Sequence, residues 1–195
     1  MDSIDGDNLT ETLKKETAVI LKVNKWLNTF GLSVSVEDVK EVIHRLKVNQ
    51  NGLSLDITDV GFGISQVLPI IVQGFLSKDD SLTIIEQPEI HLHTMMQAEL
   101  ADLFIDVICN NDSKDEKTLL IETHSESILK RLRRRIAEGK IKNSDVAIYF
   151  VHGRKKKSSG ARIERIEIGE RGAFDWPKEF YSTDFEDTNE FLKYQ

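Results

Sequence analysis

Two short apolar runs that each end in glutamate constrain this chain most: LTIIE over 82–86 and TLLIE over 118–122. Each is continuous and too short for a helix, the pattern of a strand buried on both faces. Between them Thr94 can cap a helix whose buried stripe is Met96, Leu100, Leu103, Phe104, Val107 and Ile108. A capped helix follows the second run and stops at Gly139, and DVAIYFV (145–151) reads as a third strand. Strand–helix–strand–helix–strand over 82–151 predicts right-handed crossovers and a parallel sheet. Open sheets of this kind bind ligands at the carboxyl ends of their strands. The first run delivers Glu86 there, and the second delivers Thr123-His124-Ser125.

The flanking segments read differently. Residues 1–30 show a helical stripe at Val19, Ile20, Val23, Trp26 and Leu27, closed by Gly31. Alternating stretches at 32–36, 42–48 and 53–57, with the Asn51-Gly52 turn signal, predict an antiparallel meander with one wet face. DVGFGISQ (59–66) is glycine-rich and leads into a helix in which Pro69 belongs near the first turn. The strands at 145–151 and 161–168 are joined by a basic hairpin, and the acidic tail from Gly169 is anchored by Trp176 and Phe180. The expected organisation is an N-terminal helix and meander over 1–58, an α/β lobe over 59–168 and a tail over 169–195.

Composition excludes some functions. No run approaches the roughly 18 apolar residues of a membrane helix, and the acidic, polar N-terminus is not a secretory signal. The single Cys109 rules out an internal disulfide framework, so a cytoplasmic setting is expected. Net charge is −7, and the basic stretches KRLRRR (130–135) and RKKK (154–157) stand out against it. Arg133, Arg134, Arg154 and Lys155 are therefore either nucleic-acid contacts or solvated surface charges.

Each polar constellation has two readings. Glu86 at a strand tip either holds magnesium against nucleotide phosphates or solvates the strand end. His124 either reaches a γ-phosphate or caps the next helix. Gly61 and Gly63 either expose backbone N–H groups to an anion or make a tight strand-to-helix turn. His91 and His93 either flank the site or pack, and with Glu89 they would supply an incomplete metal set.

Taken in order, VGFGISQVLPII, IIEQPEIHLH and IETHSESILKRLRRRI resemble the C-terminal half of an ABC-type ATPase head of the RecF-, OLD- and SMC-like group within the bacterial AAA class. The ending, DVAIYFV with IERIEIGERGAFDWPKEF, is similar to a C-terminal region of unknown function found in one branch of that group. The resemblance covers roughly residues 20–182. It implies a partial P-loop NTPase, α/β, with parallel strands and crossover helices beside the meander. Glu86 takes the Walker B place as magnesium ligand. Gln87 takes the place of the catalytic glutamate that orients water, with Glu89 the nearest alternative base. His124 takes the switch-histidine place. Gly61, Gly63, Ser65 and Gln66 lie in the signature loop, which caps the nucleotide of an opposite subunit.

No G-x-x-x-x-G-K-[ST] occurs in the chain. Alone it should bind ATP weakly or not at all. The expected activity is magnesium-dependent ATP hydrolysis in a composite site, with Walker A supplied by a partner chain or an N-terminal half, in DNA repair or anti-phage defence. Homo- or hetero-oligomers and a DNA partner are expected. The alternative is a catalytically inactive assembly, regulatory or DNA-binding module that keeps the fold.

Overall fold

The computed structural model describes residues 9–40, 43–78, 80–109, 117–153, 160–177, 180 and 183–194. The chain divides into two compact units, Met1–Arg131 and Leu132–Gln195.

The first unit begins with helices α1 (Leu9–Lys15) and α2 (Thr17–Leu27). The predicted stripe of α2 is the buried one: Val19, Val23, Trp26 and Leu27 face the core, and Ile20 packs at its margin. Strands β1 (Leu32–Lys40), β2 (Ile43–Gln50) and β3 (Leu53–Asp56) form the antiparallel meander, in the order β1-β2-β3. Cross-strand pairing of Val34 with Val48 and Val36 with Leu46 sets one face inward. Asn24 of α2 treats β1 as a neighbouring strand would. Its amide donates to the Val34 carbonyl at 3.0 Å and accepts the Val34 N–H at 2.7 Å. That contact satisfies backbone groups that would otherwise lie unpaired at a sheet edge.

Helix α3 (Phe62–Leu76) buries Val67, Leu68, Ile71 and Val72. It starts earlier than the sequence pattern suggests, so Pro69 lies inside the helix rather than near its first turn. One donor is therefore missing from its backbone ladder. Strand β4 (Leu82–Glu86), helix α4 (Thr94–Cys109) and strand β5 (Thr118–Glu122) form a βαβ unit. The two strands are parallel and in register, from Leu82 opposite Thr118 to Glu86 opposite Glu122. Helix α4 buries Leu100, Leu103, Phe104 and Val107 as expected, with Ile105 added.

Two expectations need correcting. The β4–β5 sheet is not buried on both faces: Leu82, Ile84 and Leu120 are 59%, 62% and 54% exposed. A continuous apolar run reports what both faces tolerate, not whether a second layer is present. The third strand, β6 (Ile148–His152), does not extend the parallel sheet. It pairs antiparallel with β7 (Arg162–Ile166) in a sheet of its own. Adjacency through a hairpin connection wins over the crossover the spacing suggested.

Helix α5 (Glu126–Ala137) runs across the division between the units. Within the first unit, Arg131 is clasped by Glu99 (2.9 Å) and Asp102 of α4. Desolvation alone would lower the Arg131 pKa, but the hydrogen bonds and charges of the two carboxylates outweigh it and hold it above its ordinary value. Within the second unit, Arg133 donates to the Gly172 carbonyl at 3.2 Å, and its guanidinium lies 5.1 Å from the Phe174 ring. Trp176 stacks on Phe180 at 4.7 Å, and Phe180 meets Phe150 of β6 edge-on at 6.3 Å. The tail is thus anchored by the two aromatics named from the sequence. It ends in helix α6 (Thr183–Leu192).

Candidate functional site

Parallel pairing in register sets Glu86 and Glu122 side by side at the carboxyl edge of the sheet. Glu86 is exposed and its carboxylate has no partner among the described residues. One residue on, the chain breaks from the strand. The Gln87 N–H still donates to the Glu122 carbonyl at 2.9 Å, but Gln87 has φ of 45° and His91 has φ of 62°. Left-handed backbone at a non-glycine residue costs about 1–2 kcal/mol and persists where its surroundings over-determine it.

His124 follows β5. Its ring is 77% exposed, with Nε2 3.6 Å from the Glu122 carboxylate. Its backbone is fixed from the opposite segment: Glu89 Oε1 accepts the His124 N–H at 2.7 Å. Glu89, the alternative base of the sequence reading, is only 8% exposed. A second link runs alongside. The Gln97 amide donates to the Leu92 carbonyl at 3.0 Å and accepts the Ser125 hydroxyl at 2.8 Å. Ser125 Oγ in turn accepts the Ile128 N–H at 3.3 Å, which caps α5. So Ser125, not His124, provides the helix cap, and the His124 ring stays exposed beside Glu122.

The glycine-rich segment reaches the same loop. Gly61 immediately precedes α3 and supplies no capping side chain, while Gly63, Ser65 and Gln66 lie within the opening turns of that helix. A Cβ on Gly63 would sit 2.7 Å from the His91 carbonyl oxygen and 3.2 Å from Leu92 Cδ2. Gly63→Ala gains helix propensity of about 0.5–1 kcal/mol, but overpacking costs about 1–3 kcal/mol and here the obstacle is backbone. The expected result is a net loss of stability of about 1 kcal/mol and a lower melting temperature in thermal unfolding. An equal or higher melting temperature would show that α3 does not press on this loop.

Glu86, Gln87, Glu89, His124 and the α3 N-terminus therefore belong to connected segments. Glu89, His91 and His93 do not form a metal set: no group of three or more His, Cys, Asp or Glu suited to a metal occurs among the described residues. His93 serves α4 instead, with Nδ1 accepting the Met95 N–H at 3.4 Å, so the cap comes from His93 and Thr94 is the first helical residue. The donor set at the strand tips still suits magnesium. That ion prefers hard oxygen ligands and is often held by one or two carboxylates, the rest being phosphate and water. Glu122, Gln97 and Ser125 had no role assigned from the sequence. The acid ending both TLLIE and LTIIE was the available signal for Glu122.

Of the proposed nucleic-acid residues, Arg133 is spent on Gly172 and Phe174, and Arg134 donates to Glu138 at 2.6 Å. Arg154 and Lys155 lie outside the described residues. No helix among the described residues is long and apolar enough to cross a membrane.

Comparisons with known proteins bear on the family and the fold. A family model described as AAA ATPase domain matches residues 4–129, more than half of the chain. No curated protein matches. A solved structure from work on ATP-driven dimerization and DNA-stimulated activation of SMC ATPases is similar in fold, with a TM-score of 0.57. The two are 11% identical, and the match covers 93% of this chain and 98% of that one. At that identity the likeness shows the fold alone, an α/β architecture with parallel and antiparallel strands.

Proposed function

The chain belongs to the AAA ATPase domain family, and from that premise we propose that it supplies one part of a composite magnesium–ATP site. The observation that carries the proposal is the pair Glu86 and Glu122, in register at the sheet's carboxyl edge with the exposed His124 ring beside them. When bound, magnesium would neutralise charge developing on the phosphates during transfer. Glu86 is the Walker B carboxylate that holds the ion. Gln87 orients the attacking water through its amide and, lacking a carboxylate, takes no proton from it. His124 donates to the γ-phosphate. Gly61, with Gly63, Ser65 and Gln66 behind it, presents the bare N-terminus of α3 as the signature segment toward a nucleotide held by an opposite subunit.

No Walker A motif exists in the sequence. The cradle for the β- and γ-phosphates is proposed to come from a Walker A-bearing partner chain or segment. The uncovered apolar face of β4–β5 supports this, because a two-stranded parallel sheet with one bare face is marginal by itself. Ile84→Asp tests the contact. Ile84 is exposed, so the isolated chain should unfold within about 0.5 kcal/mol of the wild type. Affinity for a co-expressed Walker A chain, and the ATP hydrolysis that depends on pairing, should fall about tenfold or more, the effect of an unpaired charge in an apolar contact. Unchanged affinity would remove this face from the interface.

By analogy with the SMC ATPase structure, whose work concerns ATP-driven dimerization, closure by dimerisation belongs to the same proposal. So does a setting in DNA repair or anti-phage defence, which rests on the resemblance of segments 81–93 and 119–135 to RecF- and OLD-like heads. Gln87 also favours a second reading, an assembly module that keeps the fold without turnover. Absence of hydrolysis in every pairing would select it.

A further inference from the structure

Glu89 stands apart from every other acidic residue described. It is the one carboxylate among the buried polar residues. Its Oε1 accepts the backbone N–H of His124 at 2.7 Å, a short hydrogen bond. Its Oε2 is buried without a hydrogen-bond partner, the sole such side-chain atom among the described residues. Glutamate is almost never fully buried unless paired, and leaving a buried acceptor unsatisfied costs about 1–3 kcal/mol. Stability alone therefore gives no reason to place a carboxylate here. Its position supplies one. Glu89 sits three residues beyond Glu86, in the loop that carries the left-handed Gln87 and His91. It crosses from that loop to the segment that carries the exposed His124 ring.

We propose that Glu89 is a positioning residue: it ties the Glu86–Gln87 loop to the His124 backbone, so that metal ligand, water-orienting amide and phosphate donor keep one geometry. The consequence for turnover rests on the composite-site proposal above, whereas the tie itself does not. Its buried position, with Oε1 held by the His124 N–H, fits a positioning role better than that of the alternative base. The same burial suits a tie, since water cannot compete for the bond.

Hydrogen exchange of the His124 amide in the full chain, read by NMR, tests the tie without any partner. The wild-type amide should be protected. Glu89→Ala should exchange at least about tenfold faster there, which corresponds to about 1.4 kcal/mol, while the Ile85 and Ile121 amides keep their protection. Glu89→Gln retains an acceptor oxygen, so it should restore most of the protection, and Glu89→Leu, which fills the space without an acceptor, serves as the test if the alanine variant does not fold. In the Walker A-paired complex, Glu89→Ala should lower kcat about tenfold or more with little change in KM, as expected when pre-organisation rather than substrate binding is lost, and Glu89→Gln should recover part of it.

Unchanged His124 exchange in Glu89→Ala or Glu89→Leu, or exchange in Glu89→Gln as fast as in Glu89→Ala, would overturn the tie. Faster exchange with unchanged kcat would overturn the positioning role. Absence of turnover in the wild-type complex would count against the composite site alone, and the exchange result would still decide the tie.

Discussion

Glu86→Gln should reduce ATP turnover by the partnered chain about 10²–10³-fold. A metal acting on transferring phosphate contributes several kcal/mol to the transition state, and each factor of ten in rate corresponds to about 1.4 kcal/mol. Glutamine keeps the shape of Glu86 but removes the charge proposed to hold the ion. Because Glu86 is exposed and its carboxylate has no partner among the described residues, the substitution should leave the unfolding of the isolated chain nearly unchanged. That pairing of effects separates a ligand from a structural acid. Steady-state hydrolysis at several magnesium concentrations, beside a melting curve, checks both. If hydrolysis survives, or the melting temperature falls with it, Glu86 is not the magnesium ligand.

Gln87→Glu should act in the opposite direction and raise kcat about tenfold or more, since a well-placed general base contributes about 10²–10⁴-fold. The swap is isosteric, and the loop holds position 87 through its backbone, by the N–H to the Glu122 carbonyl. The new carboxylate would lie next to Glu86 and close to Glu122, so like charges would gather at the strand tips. The variant should accordingly depend more steeply on magnesium than the wild type. Rates measured across a magnesium series test this. A kcat that stays level would mean that Gln87 does not face the attacking water.

Much of the scaffold was legible in the sequence because its signals are local. The α2 stripe, the Asn51-Gly52 turn and the acid-tipped strands each follow from spacing within about ten residues. What could not be read depends on distant partners. Nothing near Arg131 announces Glu99 and Asp102, and nothing near Arg133 announces Gly172 and Phe174. A helix that looks like a uniform basic surface is therefore partly used up inside its own units. The same reason hid the partner of Glu89, offered by the sequence only as an alternative base or metal ligand: the bond goes to His124, 35 residues away. The start of α3 was misjudged because Gly63 reads as loop chemistry. In the fold it is the residue that lets a helix press on the His91 backbone.

The most direct test of the composite site compares ATP hydrolysis by this chain alone, by the chain co-expressed with a Walker A-bearing partner, and by that pair carrying Glu86→Gln. The account predicts no turnover and no micromolar ATP binding alone, magnesium-dependent turnover in the pair, and its loss with Glu86→Gln. Tight ATP binding or hydrolysis by the isolated chain, or turnover in the pair that ignores Glu86, would contradict it.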